Sequence, residues 1–297
     1  MNHIKDQIRC GAAYRLGLTG KGIGVAGLDT GIFLHRDFDS RVTGFADMVN
    51  GKNFAYDDCG HGTHICGIIG GSGRMSGGRY SGIAPGCDLV MVKVLDRKGN
   101  GYSSDVLAGI SWILERKEKL GIRILNISVG ACSKRGMSEN SALVKGVNRA
   151  WDAGLVVVVA AGNNGPRTMS ITTPGISRKV ITVGCSDDDR EVLVGGNRMV
   201  DYSGRGPTAA CICKPDLVAP GCSVVSCSSR ADKYTIKSGT SMSTPIVSGA
   251  VALLLERFPD MTNKDVKLRL RESSVDIGLP RNQQGWGLLD VGKMIGK

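Results

Sequence analysis

Residues 155–165 read Leu-Val-Val-Val-Val-Ala-Ala-Gly-Asn-Asn-Gly. Seven apolar residues in succession, four of them valine, favour an extended strand. The run shows no alternation, so both of its faces must be covered. That is the mark of an inner strand of a parallel sheet with helices packed above and below. The run then breaks into glycine and asparagine, as a strand does where it leaves the sheet.

Further strands read outward from this one at Gly22–Leu28, Leu89–Leu95, Ile122–Ile127 and Val180–Val183. Segments of helical period lie between and beyond them. His64–Ile69 is apolar and short. Ser104–Leu120 places Val106, Leu107, Ile110, Ile113 and Leu114 on one face. Ser141–Ala153 and Met242–Phe258 follow, and Thr262 with Asp265 three residues later opens a last helix in capping-box style. Strands alternating with helices predict a three-layer α/β fold: a mainly parallel central sheet with helices on both faces. No repeat, low-complexity tract or Pro-rich linker divides the chain, so 1–297 reads as a single domain.

The 297 residues are 41% hydrophobic and 22% charged, an ordinary globular balance that supports a large core. No apolar run reaches the roughly 18 residues that a membrane span requires. The opening, MNHIKDQIRC, lacks the apolar stretch of a secretory signal, so the expected location is cytoplasmic. A secreted protein is the alternative if a signal and pro-segment precede this chain. The net charge of +11 is spread along the sequence, without interleaved aromatics. It reads as a solvated basic surface rather than a nucleic-acid interface. The ten cysteines stand mostly singly, without the paired spacing of zinc sites, and read as free thiols in a reducing compartment.

In open parallel sheets, ligands bind beyond the carboxyl ends of the strands. That rule selects Asp29-Thr30-Gly31, Ser128-Val129-Gly130 and Ala161-Gly162-Asn163-Asn164-Gly165. Two other stretches carry chemistry: Cys59-Gly60-His61-Gly62-Thr63-His64, and Gly239-Thr240-Ser241-Met242-Ser243-Thr244-Pro245 at the head of a long apolar helix. An alcohol is a poor nucleophile unless a base stands within about 3 Å and a third group orients that base. A carboxylate, an imidazole and a hydroxyl supply those roles. Each residue also has a plain reading: Asp29 as an Asx turn, His61 and His64 as metal ligands, Ser241 as a helix N-cap.

Taken together and in order, Asp29-Thr-Gly, His61-Gly-Thr-His and Gly239-Thr-Ser-Met-Ser-Thr-Pro245 resemble the three signature blocks of subtilisin-like serine proteases, the subtilase clan (peptidase family S8). The segments SGIAPGCDLVMVKVLD, NISVG, VVVVAAGNNGP, YSGRGP and KPDLVAPG carry the likeness from about Gly17 to Leu289. Within the clan the chain is most similar to intracellular AprX-like and bacillopeptidase-like members. The resemblance implies a serine endopeptidase that works through an acyl-enzyme. Ser241 would be the nucleophile, His61 the general base and acid, and Asp29 the orienting carboxylate. Asn163 and the Ser241 backbone N–H would form the oxyanion hole, and His64 would be structural. Pro245 is expected in the first helical turn, where it gives up no needed hydrogen bond.

The resemblance also implies a polypeptide substrate bound as an added strand between Gly99-Asn100-Gly101 and Ser128-Val129-Gly130. The side chain before the cut would enter a pocket walled by Ser128–Gly130 and by Ala160, Ala161 and Gly162. Thr172 would form a raised base, favouring medium apolar residues. No cofactor is implied for the chemistry. A structural calcium ion at Asp37 is the one metal the family brings into question, and the loop at 70–78 lacks the expected ligand run. A pro-segment or separate inhibitor is the further partner implied. Asp187-Asp188-Asp189 is expected to be a solvated turn, and Cys66 a small buried apolar residue.

Overall fold

A computed structural model describes residues 1–130 and 139–296. Its central sheet has seven strands among the described residues: β1 (Gly24–Asp29), β2 (Val42–Asp47), β3 (Asp88–Lys93), β4 (Ile122–Ile127), β5 (Val156–Ala160), β6 (Ile181–Cys185) and β9 (Leu217–Ala219). The order across the sheet is β2-β3-β1-β4-β5-β6-β9, and every pairing is parallel. Two antiparallel hairpins stand apart from it: β7 (Val192–Val194) with β8 (Asn197–Met199), and β10 (Val224–Cys227) with β11 (Tyr234–Lys237).

The helices are α1 (Asn2–Gln7), α2 (Gly11–Arg15), α3 (His61–Gly70), α4 (Ser103–Arg116), α5 (Ala142–Asp152), α6 (Thr240–Arg257), α7 (Asn263–Ser273), α8 (Arg281–Gln284) and α9 (Val291–Ile295). Adjacent residues of β1 show how they divide between the faces. A Cβ on Gly109 of α4 would touch Leu28, and a Cβ on Gly62 of α3 would touch Asp29. Neighbouring strand residues point to opposite faces, so α3 and α4 lie on opposite sides of the sheet. Asn126 of β4 pairs with Gly27, on the Asp29 side, and accepts a hydrogen bond from Ser248 of α6 at 2.9 Å. Helix α6 therefore shares the face of α3.

From Thr240 to Leu255 every residue of α6 is buried except Ser241. A helix apolar on all sides belongs in the interior, and this one runs behind β4, β5, β6 and β9. The expected three-layer parallel architecture is thus the observed one. The expected strands fall within two residues of β1, β3, β4, β5 and β6. Edge strand β2, three-residue β9 and both hairpins were absent from the sequence reading. The capping box at α7 is present, with Thr262 and Asp265 exchanging bonds.

The chain enters β1 near the middle of the sheet, builds β2 and β3 to one side, then crosses to build β4 onward on the other. This reversal leaves a crevice beyond the carboxyl end of β1, where Asp29 sits. No helix among the described residues is long and apolar enough to cross a membrane.

Candidate active site

Asp29 ends β1 fully buried, at 1% exposure. Its Oδ1 accepts the Thr30 N–H at 2.7 Å, and its two oxygens lie 2.8 and 2.9 Å from His61 Nδ1. The Asx-type bond and the histidine contact therefore coexist. His61 opens α3 beside Gly62, whose position leaves no room for a side chain: a Cβ there would stand 2.1 Å from the Gly31 carbonyl oxygen. That close approach of backbone to backbone brings the imidazole to the carboxylate.

Burial of the His61 ring works against its positive charge. The charge and hydrogen bond of Asp29 outweigh that cost, so the pKa stands above the ordinary imidazole value. Lys237 pulls it the other way. His64, three residues on, faces away from this chemistry. Its Nε2 lies 3.1 and 3.2 Å from the Val224 and Thr235 carbonyls, and burial lowers its pKa to about 3. It is a neutral structural donor, and no other imidazole, thiol or carboxylate joins it as a metal ligand among the described residues.

Two residues that the sequence reading passed over hold this corner. Asp57 accepts from the Thr30 hydroxyl, from the Cys59 and Gly60 amides, and from both N–H and hydroxyl of Thr63. An aspartate just ahead of a helix start was the available signal. Lys93, at 0% exposure, donates to the Thr30 and Leu95 carbonyls and to Asp58 at 2.7–2.8 Å. A lysine inside the apolar run LVMVKVL was its signal.

Ser241 is the second residue of α6, and Gly239, not Ser241, occupies the N-cap position. Its Oγ donates to the Ser128 carbonyl at 2.7 Å. The hydroxyl has taken the nearest strong acceptor rather than the imidazole. His61, Asn163 and Ser241 nevertheless line one cavity of about 570 Å³, together with Lys237 and hairpin residues Leu193 and Val194. The Ser241 backbone N–H belongs to the first turn, where a helix supplies no carbonyl partner of its own. Asn163 is fixed by its carbonyl oxygen, which accepts from both N–H and hydroxyl of Thr240 at 3.0 Å. That leaves its Nδ2 amino group as the donor.

Pro245 lies inside α6, in the second turn, contrary to the expected first-turn position. The helix starts two residues earlier than Met242, so Pro245 does remove one internal bond, the one to the Ser241 carbonyl. The helix tolerates this because nearly its whole surface is packed.

The predicted substrate segments converge. Gly99, Asn100 and Gly101 line one side, and Val129 and Gly130 the other, of a cavity of about 230 Å³ closed by Val106, Ile127 and Leu143. Ser128 contributes the carbonyl under Ser241. Ala160 ends β5, and the Ala161 carbonyl accepts the Thr172 N–H at 2.9 Å and its hydroxyl at 3.3 Å. The side chain of Thr172 fills the gap between the two walls. A Cβ on Gly130 would meet its Oγ1 at 2.3 Å, and one on Gly162 its Cγ2 at 2.4 Å.

Other expectations need revision or settle here. Asp188 is buried and accepts the Ser203 N–H, while Asp187 accepts the Gly221 and Cys222 amides, so 187–189 is not a solvated turn. Cys66 is buried as expected, and burial raises its pKa well above the usual thiol value. Nine cysteines are free thiols; Cys132 lies outside the described residues. Asp37 is buried and holds the Tyr234 hydroxyl at 2.7 Å, the Met75 N–H at 2.9 Å and the Cys227 thiol at 3.7 Å. Calcium takes six to eight oxygen ligands. A carboxylate already engaged by a phenol, an amide and a thiol does not fit that requirement.

A sequence-family model described as the subtilase family matches residues 20–287. "Serine protease AprX" of Bacillus subtilis (strain 168) is 42% identical over 290 residues, covering 92% of this chain and 65% of that protein. The chain thus spans just under two thirds of that relative's length. "Subtilisin Savinase" of Lederbergia lenta is 34% identical, with 96% of this chain and 95% of that protein aligned. Among solved structures, "Sphericase" superposes with a TM-score of 0.79 at 31% identity, covering 92% of this chain and 93% of that one. A cold-adapted subtilisin-like serine proteinase superposes at 0.75 with 28% identity, covering 92% and 90%.

Proposed function

The chain belongs to the subtilase family of subtilisin-like serine endopeptidases, and on that premise we propose how its own residues cleave a polypeptide. Ser241 is the nucleophile. Rotation about its χ1 to another staggered position moves Oγ from the Ser128 carbonyl to His61 Nε2, which takes the proton as Oγ attacks the scissile carbonyl carbon. Asp29 holds the other ring nitrogen and stabilises the imidazolium so formed. The carbonyl oxygen, now negative, is received by Asn163 Nδ2 and the Ser241 N–H at the positive end of α6. Collapse breaks the C–N bond, and His61 returns the proton to the departing amine. Water, deprotonated by the same imidazole, then releases the acyl group and restores the serine.

The substrate lies as an added strand between 99–101 and 128–130. The residue before the cut enters between Ser128–Gly130 and Ala160–Gly162. Thr172 shortens that slot, and no acid among the described residues lines its base, which favours medium apolar side chains over aromatic or basic ones. We further take 1–297 as one domain, since the main apolar cluster among the described residues draws on the chain from Met1 to Ile295.

The observation that carries the reading is the pair of buried Asp29 and half-buried His61, bonded at 2.8 Å and opening on the cavity that holds Ser241 and Asn163. A fluorophosphonate probe tests it. The wild-type chain should be labelled on the peptide containing residue 241, and Ser241→Ala should not. Equal labelling of both would place the nucleophile elsewhere.

A further inference from the structure

Behind the nucleophile's helix lies a second group of reactive side chains. Cys185 closes β6, Cys222 stands two residues before β10, and Asp187 lies between them in space. Their ligating atoms all fall within 4.8 Å of one another. The Cys185 thiol contacts Asp187 Oδ1 at 3.1 Å, and the Tyr202 hydroxyl bridges the two sulfurs at 3.2 and 3.1 Å. Cys222 donates to the Asp187 carbonyl at 2.8 Å.

One neighbour is unexplained by the protein alone. Ser243 is fully buried in α6, and its Oγ has no hydrogen-bond partner. A buried hydroxyl left without a partner has lost its water and gained nothing in return, which is destabilising. It faces the same place: Ser243 Oγ and Cys185 Sγ lie 2.4 and 2.8 Å from where a Cβ on Gly221 would sit. Two sulfurs, a carboxylate and an unsatisfied hydroxyl therefore converge, and Cys222 and Asp187 are half-buried, which leaves a way in.

We propose that Cys185, Cys222 and Asp187 bind a thiophilic divalent cation of the zinc class, with Ser243 Oγ or water as fourth ligand. Tetrahedral zinc sites draw on cysteine thiolates, aspartate carboxylates and water, with sulfurs about 2.3 Å from the metal. Two sulfurs held so in a tetrahedron stand about 3.8 Å apart, and groups already within 4.8 Å of one another need close by only about an ångström to reach it. Both thiols bind as thiolates, so their two protons leave to solvent as the metal enters, and affinity rises with pH. A disulfide between the sulfurs would use neither the carboxylate nor the buried hydroxyl. The other mixed cluster, His35, Asp37 and Cys227, is closed by comparison. Both His35 nitrogens are already engaged, with the Lys233 carbonyl and the Asp37 N–H, and Asp37 is held as described above.

The ion would brace the nucleophile's support. The Gly221 carbonyl, next to Cys222, accepts the N–H of Gly239, two residues before Ser241, at 3.0 Å. Binding ties the end of β6 to that turn and stiffens the ledge on which α6 begins.

The test uses the full chain carrying Ser241→Ala to prevent self-digestion, reduced and stripped of metal, titrated with Co²⁺. The expected result is thiolate-to-cobalt charge-transfer bands that saturate at one ion per chain, with about two protons released, and that vanish when Zn²⁺ is added. Cys185→Ala and Cys222→Ser should each abolish the bands. Asp187→Asn, which keeps an acceptor for the Gly221 and Cys222 amides, should weaken binding. Cys211→Ser with Cys213→Ser, at the exposed pair, should leave it intact. If Cys185→Ala fails to fold by circular dichroism, Cys222→Ser at the half-buried turn decides. Zn²⁺ should also raise the thermal midpoint of the parent and not of Cys222→Ser. Absence of the bands overturns the proposal. So does their survival without Cys185 and Cys222 but loss without Cys211 and Cys213. Mass mapping of a Cys185–Cys222 disulfide in the protein as isolated overturns it too.

Discussion

Replacing Thr172 with glycine should open the proposed specificity slot. The Thr172 side chain stands between the walls, with Cγ2 and Oγ1 at 2.4 and 2.6 Å from the place of a Cβ on Gly162, and Oγ1 at 2.3 Å from that on Gly130. Glycine removes both atoms together with the Cβ that carries them, and leaves space for roughly two ring carbons of a deeper side chain. At about 0.8 kcal/mol for each buried methylene-sized group, a phenylalanine before the cut gains about 1.5 kcal/mol in the transition state, roughly tenfold in kcat/KM. An alanine there does not reach the base and should gain nothing. The Thr172 N–H bond to Ala161 survives the change, and only the longer hydroxyl contact is lost. Thr172→Ser, which removes Cγ2 alone, should give about half the free-energy gain. The assay is a pair of chromogenic peptides that differ only in the residue before the cut, and the readout is the ratio of their kcat/KM values. A ratio that stays put in Thr172→Gly, while both substrates slow equally, would mean that the residue supports the wall and does not form the floor.

Asn163→Ala should lower kcat by about 10²-fold or more, the cost of removing such an oxyanion donor in a related enzyme, and should also lower the urea midpoint, since it strands the buried Thr240 N–H and hydroxyl at about 1–3 kcal/mol; an unchanged kcat in the folded variant places Asn163 outside the reaction. The acid limb of kcat/KM should lie above the ordinary imidazole pKa, because Asp29 holds the proton on His61 and the protonated ring cannot act as base. Lys237→Met removes a charge that favours the neutral ring, so the limb should move to still higher pH; a shift downward, or none, refutes that assignment. His64 is neutral when folded, with a pKa of about 3 against 6.5 for the free side chain, so the unfolded chain binds the extra proton. Its contribution is complete above about pH 6.5 and is lost as pH falls toward 3, by about 1.4 kcal/mol per unit. The urea midpoint of an inactivated chain should follow that slope, and His64→Gln should flatten it by one proton's worth.

The parts of this molecule that could be read from its sequence are those where one physical cause acts alone. Strands β1, β3, β4, β5 and β6 are mostly apolar on both faces, with polar exceptions such as Asp29, Lys93 and Asn126, so composition marks them. Strand β2 is half-buried at the sheet edge, and its Val-Thr-Gly-Phe-Ala-Asp carries neither a run nor an alternation. Strand β9 has three residues, and its pairing comes from β6 on one side and a bridge to Leu288 on the other, information that lies elsewhere in the chain. The start of α6 was placed two residues late because Gly-Thr-Ser has the chemistry of a cap. In the fold Gly239 takes the cap position, and Thr240 turns its polar groups on Asn163. Asp57 and Lys93 were missed for a similar reason: each does its work through several partners separated in sequence, and no local pattern encodes such convergence.

Thr240 shows what that convergence achieves. Its N–H and hydroxyl both hold Asn163 Oδ1, and the same hydroxyl accepts the Gly162 N–H at 3.2 Å. Its carbonyl takes the Thr244 hydroxyl at 2.8 Å. The proposed oxyanion donor, one wall of the proposed specificity slot and the first turn of α6 are thus fastened to the residue before the proposed nucleophile. A shift of the helix carries all three with Ser241, and their mutual spacing is kept. Asp29 and His61 form a separate unit, tied through Thr30, Asp57 and Lys93 to β1, β3 and the head of α3. Ser241 Oγ stands between the two units and at present bonds to neither, resting on the Ser128 carbonyl of β4's end. The proposed catalytic hydrogen bond is the contact that must join these bodies. It therefore depends on α3 and α6, packed against each other on one face of the sheet, keeping their relation, and a single rotation of a hydroxyl then suffices to complete the line.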